Sequence, residues 1–119
     1  MKTKVYDLKR RTYLYAVEMV KFLDSLPRDY IAQTLGKQLL RSATSVGANV
    51  VEAQAASSRR DFTNFYNHAL KSANESTFWL ELLTDSGKSS NGHTAQLLAE
   101  TQELSKILSS ALLTLRNGH

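Results

Sequence analysis

Apolar residues recur at steps of three and four through most of the chain, and the places where this rhythm breaks divide it into four helices. Tyr13, Ala16, Val17, Val20 and Leu23 keep the step, which predicts an amphipathic helix from about Leu8 to Ser25. Lys9, Arg10, Glu18 and Lys21 fall on its other face, and Asp7 is placed to cap it. The stretch Leu26-Pro27-Arg28-Asp29 ends it, since proline lacks the ladder N–H and disfavours helical geometry in the residue before it. No other proline follows.

A second helix is predicted from about Asp29 to Ala56, with the stripe Ile31, Leu35, Leu39, Ala43, Val46, Val50 and Ala53. Asp29 in its first turn complements the helix dipole. Its middle holds Ser42, Thr44, Ser45, Gly47 and Asn49, where a core helix ordinarily carries larger apolar groups. Each glycine, Gly36 and Gly47, costs about 1 kcal/mol of helix propensity relative to alanine, which a close neighbouring backbone offsets. Asn49 either fixes the register of packed helices or faces solvent.

Ser58-x-x-Asp61 resembles a capping box and opens a third helix, from about Arg59 to Thr84. Phe62, Phe65, Tyr66, Ala69, Ala73, Ser76, Leu80 and Leu83 form its stripe, and Phe78, Trp79 and Leu82 widen it. Residues 85–93 are small and polar with two glycines, a loop. Thr94 is the predicted cap of a last helix, with the stripe Leu97, Thr101, Leu104, Leu108, Ala111 and Leu115 and Arg116 in its final turn. No segment alternates with period two. The expected fold is all-α, an antiparallel up-down-up-down four-helix bundle forming a single domain over residues 1–119.

Charge adds an uneven distribution to this picture. Residues 1–60 hold 11 Lys/Arg against 5 Asp/Glu, whereas residues 61–119 hold 4 against 6. A basic half points to a polyanion such as RNA or DNA, because neutralised phosphates release counterions; a solvated surface of mixed charge has the same composition. The candidate phosphate contacts are Arg10, Arg11, Lys37, Arg41, Arg59 and Arg60. In an antiparallel bundle the first and third helices start at the same end, which brings Arg59 and Arg60 near Lys9, Arg10 and Arg11.

Catalytic chemistry finds little foothold. The absence of cysteine excludes disulfides and thiolate sites and makes cytoplasm the expected compartment. His68 has no histidine or carboxylate one turn away, and no Glu-x-x-His pair occurs, so no metal or other cofactor is expected. Glu52 and Glu75 are the most inward carboxylates, with Arg41 and Lys71 as the expected basic neighbours. The glycines make no phosphate loop, and the longest apolar run, Tyr13 to Val17, is far below the roughly 20 residues of a membrane span. The expectation is a protein that is not an enzyme.

Several stretches together resemble a known family. They are Arg10-Arg11-Thr12-Tyr13, Leu26-Pro27-Arg28-Asp29, the run from Gln38 to Ala53, Ser58-x-x-Asp61-Phe62 and the run from Ala69 to Leu83. In order and over nearly the whole chain, they are similar to the bacterial four-helix-bundle proteins encoded in 23S rRNA intervening sequences and to the related accessory variability determinant (Avd) proteins of diversity-generating retroelements. Val46 and Val50 stand where the family more often has Ile, and Ser72 where it has Glu or Lys. The resemblance implies a homo-oligomer, a pentameric barrel, and in the retroelement branch binding to nucleic acid and to a reverse transcriptase. Two functions follow as expectations: an oligomer that binds nucleic acid through its basic surface, or a structural adaptor whose partner is another protein.

Overall fold

The computed structural model describes residues 4–89 and 91–117 and contains four helices: α1 (Lys4–Asp24), α2 (Tyr30–Gln54), α3 (Arg59–Asp85) and α4 (Asn91–Asn117). Among the described residues there is no strand. The helices pack in a ring, α1 on α2, α2 on α3, α3 on α4 and α4 back on α1, in a body 49 × 26 × 20 Å. The all-α up-down bundle predicted from periodicity is the observed fold.

Local chemistry sets the boundaries. The Asp29 carboxylate accepts from Ala32 N at 2.9 Å, which makes it the N-cap of α2, and Ser58 Oγ accepts from Asp61 N at 3.0 Å at the start of α3. Gly87, at φ +79°, ends α3 with Lys88 N–H donating to Leu83 O at 2.9 Å and Gly87 N–H to Thr84 O at 3.0 Å. This is the Schellman pattern, which favours glycine because other residues resist that φ. Thr94 does not cap α4. The helix begins at Asn91, and Thr94 is buried within it with its hydroxyl on Ser89 Oγ at 3.1 Å.

The core is assembled from Leu8, Tyr15, Met19, Phe22 and Leu26 of the α1 strand of chain with Leu39, Val46, Val50, Tyr66, Leu80, Leu83, Leu104 and Leu108 from the other helices. This corrects the inward face expected of α1. Of the predicted stripe, Tyr13 is 58% and Val20 46% exposed. Two apolar stripes run along α1, and the fold buries the one interrupted by Thr12, whose hydroxyl is satisfied by Leu8 O at 2.9 Å. Ile31 likewise lies outside, with Ala32 and Gly36 buried instead.

The small residues of α2 serve two neighbours. A Cβ on Gly47 would stand 3.1 Å from Thr12 Oγ1 and 3.4 Å from Thr12 O, so this glycine admits the backbone of α1. Toward α3, Ser42 and Ser76 share a buried hydrogen bond of 2.8 Å, and Ser72 donates to Ser45 Oγ at 3.0 Å. Asn49 is half-buried and donates to Ser45 O at 2.8 Å within its own helix, so it neither crosses to another helix nor stands free in solvent.

Candidate nucleic-acid interface

The helix directions carry four of the six predicted phosphate contacts toward one end of the bundle. Arg10 and Arg11 lie in the first half of α1, Arg59 and Arg60 in the first turn of α3, and α4 finishes at that end with Arg116. Arg59 Nη2 donates to Leu115 O at 2.8 Å, which ties the start of α3 to the last turn of α4. A guanidinium there satisfies a carbonyl that has no helical partner and meets the negative end of the helix dipole. Lys37 and Arg41 sit on α2, away from this end, and do not join the cluster.

The six side chains differ in how free they are. Arg11 is held in a two-pronged pair with Glu100 of α4, Nε to Oε2 at 2.7 Å and Nη2 to Oε1 at 2.9 Å, which raises its pKa above the ordinary arginine value. Arg41 bonds the Glu75 carboxylate on α3. Arg10 is exposed, its guanidinium 5.8 Å from the Tyr13 ring centroid. Lys37 and Arg60 are exposed, and neither forms an ion pair among the described residues. The cations free of ion pairs among the described residues therefore include Lys9 and Arg10 on α1, Lys37 on α2, Arg60 on α3 and Arg116 on α4.

The inward carboxylates pair differently from the sequence expectation. Glu75 takes Arg41, across the helix interface, in place of Lys71, and it also accepts from Trp79 Nε1 at 2.9 Å. The indole N–H first and the guanidinium second hold Glu75 below its usual pKa. Glu52 is exposed and has no ion pair among the described residues. Trp79 is half-buried, and Tyr15 is buried with its hydroxyl 2.6 Å from Thr101 Oγ1. Nothing local marks Glu100 as the partner of Arg11, since it lies 89 residues away.

Grooves offer shape without reactive groups. One groove, about 610 Å³, is lined by Leu8, Phe62, Tyr66, Ile107, Ala111 and Leu115 with Glu103 and Lys106. A narrower cleft of about 280 Å³ between α1 and α4 holds Arg11, Glu18, His93 and Glu100, which are engaged with one another. Among the described residues no three His, Asp or Glu side chains gather where they could hold a metal ion, and no helix is long and apolar enough to cross a membrane.

Comparison with known proteins agrees with this architecture. A crystal structure of a protein of unknown function from the S23 ribosomal protein family of Bacteroides thetaiotaomicron superposes with a TM-score of 0.87. It is 37% identical in sequence, and the match covers 94% of this chain and 100% of that one. No protein of curated function is similar enough to match. Residues 4–110 match the family described as 23S rRNA-intervening sequence protein, and the chain belongs to that family.

Proposed function

We propose that the protein is a non-catalytic, cytoplasmic homo-oligomer, a pentamer, that binds structured RNA or DNA through its basic surface. The observation that carries this reading is that Arg10, Lys37 and Arg60 are exposed and outside any ion pair among the described residues. Phosphate oxygens are the natural ligands of exposed guanidinium and ammonium groups. Nothing on this surface reads base edges, so binding is weakly sequence-selective. Arg11 and Arg41 belong to the same surface and reach a polyanion only by sharing it with their carboxylates.

A salt titration of binding to a structured RNA and to duplex DNA tests the reading. Affinity is expected to fall steeply with salt, and the double variant Arg10→Ala/Arg60→Ala to flatten the slope of log affinity against log salt by about 2. No binding at low salt and micromolar protein would remove the proposal. The engagement of Arg11, Arg41 and Arg59 within the protomer favours the second reading, an adaptor for another protein, a reverse transcriptase if the Avd branch applies. Under that reading the double variant leaves partner binding unchanged. Charge reversal at Arg41 does not separate the two, since it breaks the contact with Glu75 in either case.

A further inference from the structure

The second apolar stripe of α1 has no use within the protomer. Tyr13 and Val20 of α1 and Leu40 and Val51 of α2 are each at least 40% exposed on the side where these two helices meet. Toward the end where α2 begins, this side sinks into a groove of about 680 Å³ lined by Leu23, Leu26, Gly36, Lys37 and Leu40. Gly36 lets the helices close there, since a Cβ on it would lie 3.0 Å from Leu26 Cδ1. Elsewhere on the bundle, Phe78 of α3 is 56% exposed, with Glu81 one turn and Asp85 two turns further along its face. Among the described residues, Lys37, Glu81 and Asp85 form no ion pair.

We propose that Phe78 of one copy of the chain seats in the groove of Leu23, Gly36 and Leu40 on the next copy, with Glu81 and Asp85 facing Lys37. This rests on the oligomer proposed above and names its interface. The heights agree. Phe78 lies seven residues before the end of α3 at Asp85, and Lys37 seven residues after the start of α2 at Tyr30. At about 1.5 Å per residue, knob and groove are each roughly 10 Å from their helix ends. Those ends lie together, as the Lys88 Nζ contact with Asp29 Oδ1 at 3.3 Å records. Two copies with parallel long axes therefore bring the knob to the groove without sliding, the condition for rotation about an axis along the bundle. Charge agrees as well, because Lys37 on the groove stands outside any ion pair among the described residues, as do Glu81 and Asp85 beside the knob, while Asp24 lines the groove as its one carboxylate. Knob and groove are different surfaces, so the contact is head-to-tail and each copy uses both.

Mass measurement by light scattering on the intact chain and two variants decides it. Phe78→Arg removes the knob and sets a cation against Lys37; Leu40→Glu puts a carboxylate in the groove opposite Glu81. Both sites are exposed, and helical circular dichroism confirms folding. The wild type is expected at a multiple of 13.3 kDa, each variant at 13.3 kDa, and an equimolar mixture at twice that mass or a higher multiple, because the mixture restores one intact interface per pair and sets the cation of one variant against the carboxylate of the other. A monomeric wild type removes both the oligomer and this interface. An oligomeric wild type whose variants keep its mass, or two monomeric variants whose mixture stays monomeric, removes the interface and leaves the oligomer.

Discussion

The α2–α3 and α1–α4 interfaces belong to one small bundle and are built in opposite ways. Along α2–α3 the contacts are the most extensive in the molecule, with Ser42 meeting Ser76 and Ser45 meeting Ser72, and Ala43, Ala69 and Ala73 buried in the core nearby. Small side chains let the backbones close in, and the serines spend their hydroxyls on each other or on carbonyls of their own helices. Along α1–α4 the contacts are the least extensive, and long groups span a wider gap: Arg11 to Glu100, Tyr15 to Thr101 and Glu18 to His93. A cleft of about 280 Å³ remains beside them. The first interface is stabilised by close packing, the second by a few directional contacts, of which the part-exposed ion pairs contribute at most about 1 kcal/mol each. Volume should therefore matter most in one and polar pairing in the other.

The largest test of this contrast adds volume where there is none. Ala73 of α3 is fully buried in the core one turn from Ser76, which meets Ser42 of α2, and Ala73→Leu forces three more carbons into that packing. The expected loss is about 1–3 kcal/mol, a fall in Tm of roughly 4 °C for each kcal/mol, read from thermal and urea melts by circular dichroism. Retention of wild-type stability would mean that α2 and α3 move apart freely, and the contrast with α1–α4 would fail.

A smaller loss is expected across the open interface. Tyr15→Phe removes the hydroxyl that meets Thr101 at 2.6 Å in the core and changes volume very little. Thr101 keeps its bond to Leu97 O at 2.7 Å, so no orphaned group is left behind. The cost should be about 0.5–1.5 kcal/mol in the same melts. A larger effect, near that of Ala73→Leu, would show α1–α4 to depend on tight packing as well.

The two interfaces also differ in how much of them could be read in advance. Close packing of α2 was legible because the smallness of Ser42, Ser45 and Gly47 is written in consecutive turns of one segment, but not that Gly47 meets α1 while the serines meet α3. The capping pattern at Ser58 lies within three residues, and Asp29, expected in the first turn of α2, is its N-cap. The expected nearness of Arg59 and Arg60 to Lys9, Arg10 and Arg11 came from topology alone, and α1 and α3, though they start at the same end, are not packed against each other. The inward face of α1 was not. Tyr13, Val20 and Leu23 keep helical spacing as well as Leu8, Tyr15, Met19 and Phe22 do, and only the position of α4 and α2 decides which set is buried. Thr94 has a capping side chain ahead of an apolar run, yet the helix starts three residues earlier. The partners of Arg11 and Arg41 lie 89 and 34 residues away, so no local pattern could reveal which part of the basic surface is already neutralised.

The smallest expected effect lies at the rim of the tight interface, where it is built like the open one. Glu75 joins Arg41 of α2 to Trp79, the only tryptophan of the chain. Its carboxyl is held below the ordinary value of 4.5, chiefly by the indole N–H and then by Arg41. A depressed folded-state pKa means the contact stabilises fully above pH 4.5 and is lost as pH falls through the folded value. Because the Glu75 side chain is 36% exposed, solvent screening keeps the loss below about 1 kcal/mol. Trp79 emission should therefore show a transition below pH 4.5 while the helical signal persists. In Glu75→Gln the amide oxygen still accepts from the indole, so emission at neutral pH is retained and the transition disappears. A transition that survives in Glu75→Gln would mean that Trp79 senses another group, and the rim would then be held by packing like the rest of α2–α3.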